Sequence, residues 1–74
     1  MTMESEKIAV EFGAIVREAR EKQGLYQAEV AAKLGVSGSY YHYIETGKRE
    51  IYFSLAVKIC KVLKLDINEL AKRL

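Results

Sequence analysis

The sequence has no proline, one cysteine, one histidine and no apolar run longer than a few residues. Each scarcity removes a class of protein. Cys60 is alone, so no internal disulfide can form, and a chain of 74 residues must hold itself together by packing. Small secreted domains are usually stapled, so a reduced, cytoplasmic setting is the expectation. One histidine and one cysteine do not make a metal-ligand cluster, and no metal or other cofactor is expected. No stretch reads as a signal peptide or reaches membrane length, so no membrane partner is expected. Glycine-rich phosphate loops are absent. Ser39, His42 and Asp66 supply the residue types of a nucleophilic trio, but nothing in their spacing supports one. The sequence therefore points away from an enzyme, and no catalytic residue is assigned.

What is present favours helices. Ala, Leu, Glu, Lys, Arg and Gln are abundant, and β-branched alternation is scarce. Net charge is only +2, yet its distribution is uneven. Residues 1–30 hold six acids and four bases, whereas residues 31–74 hold eight bases and four acids. The basic part also contains the segment GVSGSYYHYIETG, Gly35 to Gly47, with three tyrosines and the histidine. That combination suits an anionic polymer; a solvated basic face is the plainer alternative.

Residues 1–5 read as a flexible N-terminus, and residues 6–74 as a single domain. From Glu6 to Gln23, Ile8, Phe12, Ile15 and Ala19 fall on one stripe of an amphipathic helix. Gly24 stops it, and Leu25 packs back over its end. A second helix, about 27–34, turns Val30, Ala31 and Leu34 inward. Ala28, Ala31 and Ala32 keep it thin enough for close packing. Gly35 ends it, Val36 enters the core, and Ser37 caps a third helix over about 38–45. There Tyr41 and Ile44 share the buried face. Ser39, His42 and Tyr43 then point outward, with Tyr40 at the flank.

A fourth helix, about 53–63, turns Phe53, Ala56, Ile59, Cys60 and Leu63 inward and Lys58, Lys61 and Lys64 outward. Asp66 and Glu69 form a capping box for a fifth helix over about 67–73, with Ile67, Leu70, Ala71 and Leu74 apolar. The expected fold is an all-α, compact five-helix bundle. The short glycine-containing connection Gly35-Val36-Ser37 marks a helix-turn-helix.

Two stretches, EAREKQGLYQAEVAAKLGVSGSYYHYIETGKRE and LKLDINEL, carry a family resemblance. They resemble the lambda-repressor-like helix-turn-helix domains, the Cro and XRE class of bacterial and phage regulators. The similarity extends from about Phe12 to Leu70. It implies sequence-specific binding of double-stranded DNA by a repressor-like transcriptional regulator, with the third helix in the major groove. It further implies that Gly38, Ser39 and Tyr43 face base edges. Gln27, Tyr26, Tyr40, Lys48 and Arg49 would meet the DNA backbone. Arg20 and Glu45 would form a structural ion pair rather than contact DNA.

Such modules commonly act as homodimers on paired half-sites. The expected dimer interface is Ile67, Leu70 and Leu74, shared between the seam and the monomer core. No small-molecule effector site is evident. The alternative is a protein-interaction module, an antitoxin-like or docking partner whose tyrosine-rich face meets another protein.

Three positions depart from the family pattern. Gly38 replaces a base-reading side chain with bare backbone. Tyr26 and Tyr52 stand where hydroxyl caps are usual, so helices two and four should start with weaker caps. Lys64 stands where a glycine stop is usual, at some cost in backbone strain.

Overall fold

The computed structural model describes residues 3–74 and contains five helices among them. They are α1 (Met3–Lys22), α2 (Gln27–Leu34), α3 (Gly38–Glu45), α4 (Phe53–Leu63) and α5 (Ile67–Arg73). The expected bounds of α2 to α5 match. The first helix starts earlier than expected, since Met3, Glu4 and Ser5 form its first turn, and Met1 and Thr2 lie outside the described residues. Glu4 and Glu6 supply negative charge beside the helix's unpaired N–H groups, which favours that earlier start.

All five helices contribute to one core. Phe12, Ile15 and Val16 enter from α1, and Val30, Ala31 and Leu34 from α2. Tyr41 and Ile44 enter from α3, Leu55, Ile59, Cys60 and Leu63 from α4, and Leu70 from α5. Ala31 is buried, while Ala28 and Ala32 face solvent, so only one of the three alanines serves close packing.

Two inward assignments are corrected. Ile8 is 46% exposed, and Ala9 and Val16 take the inward positions of α1. Phe53 is 77% exposed, while Leu55 is buried. Phe53 is the first residue of α4, where the helix overhangs the gap between α1 and α5 instead of the packed centre.

Two glycines let α1 and α3 touch backbone to backbone. A Cβ on Gly13 would lie 2.6 Å from the Glu45 carbonyl oxygen and would also collide with the Ile44 carbonyl. Gly47 has φ 73°, and a Cβ there would sit 2.6 Å from the Val10 Cα. The chain leaving α3 is thus pressed against α1.

The helix ends follow the sequence signals unevenly. Gly35 N–H donates to the Ala32 carbonyl and Val36 N–H to that of Ala31, which closes α2 in a short turn. Val36 packs against the core, and the Ser37 hydroxyl accepts from Tyr40 N–H at 3.0 Å. Tyr26 and Tyr52 place no side-chain cap on α2 or α4. At α2 the Glu29 carboxylate accepts from Tyr26 N–H at 2.8 Å. Asp66 caps α5 through Asn68 N–H, but Glu69 pairs with Lys72 at 3.4 Å, so the expected box is half made. Lys64 adopts the left-handed conformation, with φ 58°.

Candidate nucleic-acid interface

The core fixes which side of α3 faces outward. Tyr41 and Ile44 are completely buried and leave the helix no rotational freedom. Ser39 and His42 are exposed as a result, and Tyr43 is 39% exposed. Tyr40 is half-buried at the flank. One tyrosine of the three therefore packs inside, and the other two are displayed. Gly38 is also exposed, with open space where a side chain would project.

Past α3, the Gly47 turn is held by Lys48 N–H donating to the Tyr43 carbonyl at 2.9 Å. That turn brings Arg49 back over the helix. Its guanidinium carbon lies 5.7 Å from the centre of the Tyr40 ring and 6.0 Å from that of Tyr43. Both distances suit cation–π attraction. Tyrosines three positions apart stand on the same helix face, so together they form a seat for one cation. Lys48 is exposed beside it, and Tyr26, 76% exposed, lies at the start of α2. No hydrogen bond or ion pair among the described residues joins Ser39, Tyr43 or Arg49 to a carboxylate.

Behind this face is a polar junction. Arg20 donates to both Glu45 oxygens, at 2.7 and 3.1 Å, and its remaining nitrogen donates to the Leu25 carbonyl at 2.8 Å. The Glu45 side chain is 2% exposed and that of Arg20 12%. Gln27 adds a third bond to the carboxylate at 2.9 Å. Burial opposes ionisation of Glu45, but the bonds from Arg20 and Gln27 outweigh it and hold its carboxyl below the usual range. The bond to Glu45 correspondingly raises the Arg20 guanidinium above its own usual value. Burial, reinforced by the nearby Glu45 charge, pushes the Tyr41 phenol far up, and its hydroxyl finds no hydrogen-bond partner.

The sequence does not reveal two of these links. Gln27 is half-buried, and its amide nitrogen is engaged with Glu45 and lies 3.3 Å from His42 Nδ1. Arg49 rests on tyrosine rings rather than standing free. Each joins separate elements, so no local motif announces it.

A family model described as helix-turn-helix matches residues 16–70. The chain belongs to the lambda-repressor-like (Cro/XRE) helix-turn-helix family. It is similar to an "Uncharacterized HTH-type transcriptional regulator" of Archaeoglobus fulgidus, 38% identical over 55 residues. The aligned region is 74% of this chain and 79% of that protein. In this helix-turn-helix domain the matched segment includes the whole of α2, the turn and α3.

The helix-turn-helix domain also has an apolar groove of about 410 Å³ between α1, α4 and α5. Ile8, Ile51, Phe53, Ile67 and Leu74 are among its lining residues. Of the three residues expected at a dimer seam, Leu70 is buried and closes the monomer core. Ile67 and Leu74 remain 38% and 39% exposed and look into the groove.

Proposed function

We propose that this helix-turn-helix domain is a sequence-specific, double-stranded DNA-binding transcriptional regulator. The observation that carries the reading is the outward face of α3, where Arg49 sits on the Tyr40 and Tyr43 rings. In the proposed complex α3 enters the major groove. Gly38 lets the backbone approach closely, and Ser39 and Tyr43 meet base edges, the tyrosine ring also touching thymine methyl groups. Lys48, Arg49, Tyr26, Tyr40 and the start of α2 at Gln27 lie along phosphates and set the register.

The regulator acts as a repressor-like homodimer on half-sites about 34 Å or a multiple apart. Its seam is the groove between α1, α4 and α5, with Phe53, Ile67 and Leu74 covered by the second copy. Apolar groups of that size clustered on one surface favour burial. The groove contains no α3 residue, so covering it leaves the DNA face free.

The test is selection from random duplexes, followed by binding to the enriched site across salt concentrations. The expected outcome is one enriched motif, bound with an affinity that falls by about 0.9 in log-log slope per phosphate contact. Failure to enrich any motif, or an affinity indifferent to salt, would defeat the reading.

A further inference from the structure

We propose that His42 is itself a DNA-backbone contact, donating from Nε2 to a phosphate oxygen, and that Gln27 sets the tautomer this requires. The inference rests on the DNA-binding reading and adds a residue that reading leaves out.

The argument starts at Glu45. Its carboxylate takes two bonds from Arg20 and one from the Gln27 amide nitrogen at 2.9 Å. A carboxylate repels an amide oxygen, so the Gln27 amide has one favourable orientation, with its NH2 group inward. The same NH2 group lies 3.3 Å from His42 Nδ1. An amide nitrogen only donates, so Nδ1 must present its lone pair. A neutral imidazole with a bare Nδ1 carries its proton on Nε2. The junction thus fixes the tautomer of a ring that reaches the ion pair through Gln27.

That proton has no internal use. His42 is exposed, and Nε2 makes no hydrogen bond among the described residues. The ring is steadied by Gln27 and by Tyr43, whose ring centre is 6.2 Å away. It borders a polar hollow of about 220 Å³ shared with Arg17, Gln27, Thr46 and Glu45, whose buried carboxylate is already met by Arg20. Arg20 also borders the hollow but is committed to Glu45 and Leu25. The Arg17 side chain is 63% exposed and pairs loosely with Glu21 at 3.4 Å, leaving it able to turn toward an anion. A fixed N–H donor beside a cation, at the start of α2, suits a phosphate oxygen. Gln27 then acts as a positioning residue, since its NH2 group is already engaged.

Two measurements test this. Long-range proton–nitrogen NMR of the free protein at about pH 8, above the ordinary histidine range, should find the Nε2–H form. Gln27→Ala should turn it into a mixture of both forms. A dominant Nδ1–H form in the unmodified protein would overturn the tautomer argument. In the second, duplex binding is followed with His42→Ala and His42→Gln. His42→Ala should weaken enriched and random duplexes alike by about tenfold, equivalent to about 1.4 kcal/mol. With binding measured at that same pH of about 8, the salt slope should not change, because a neutral donor releases no counterion. His42→Gln should restore most of the loss, its amide nitrogen reaching near the Nε2 position. Unchanged binding by His42→Ala, or a loss confined to the enriched duplex, would overturn the backbone contact while leaving the DNA reading intact. A wild-type protein that binds no duplex would remove both.

Discussion

The two sides of α1 reverse the usual rule about polarity. Toward α2 and α3, it buries a charge: Arg20 meets a Glu45 side chain only 2% exposed. Toward α4 and α5, it leaves apolar groups in the open: Ile8, Phe53, Ile67 and Leu74 border an unfilled groove. At the first site the guanidinium and the carboxylate are matched within the chain, which fixes how α1, α2 and α3 meet. Nothing among the described residues covers the second. The difference teaches which surface this domain uses to define its own shape and which one the proposed second copy would cover.

The comparison breaks most severely at Glu45. Glu45→Ala strands the Arg20 charge and should cost about 3–5 kcal/mol, close to the whole stability of a domain this small. Urea titration by circular dichroism should find it largely unfolded; a midpoint near wild type would mean the junction does not hold the helices. Next is Gly13→Ala, which drives a methyl group into the Ile44 and Glu45 carbonyls and should cost about 1–3 kcal/mol in the same assay.

Acid sharpens the contrast. Because the folded Glu45 carboxyl titrates below its ordinary value of about 4.5, its contribution is present above that pH. It is lost as pH falls through the lower, folded value. Glu45→Gln should flatten that part of the stability–pH curve, whereas substitutions in the groove should leave its shape unchanged. The smallest effect on folding is expected from Phe53→Ser, within about 0.5 kcal/mol, since the ring is mostly in solvent. The same change should shift sedimentation from dimer toward monomer. A monomer at every concentration before mutation would remove the second copy from the groove.

Much of this was legible in the sequence because it is local. The bounds of α2 to α5, the Gly35 turn and the Ser37 cap follow from residues a few positions apart. So does the burial of Tyr41 and Ile44, which turns Ser39 and Tyr43 outward. The Arg20–Glu45 pair was available through the family resemblance, not through spacing. Periodicity places Phe53 and Ile8 on inward stripes, since it says which residues share a stripe but not where the packed neighbour ends. The capping box at Asp66 was half made because Lys72 lies within reach of Glu69 on the same helix.

By itself, then, the order of residues determined five helices, their stops and the inward side of α3, since each depends on propensity and contacts within a turn or two. Only the tertiary structure decided that Arg49 returns to the Tyr40 and Tyr43 rings, that Gln27 joins Glu45 to His42, and that α1, α4 and α5 leave a groove. The last two join segments far apart along the chain, the first depends on the path of the turn after α3, and the geometry of all three exists only once the core has fixed the angle and approach of every helix.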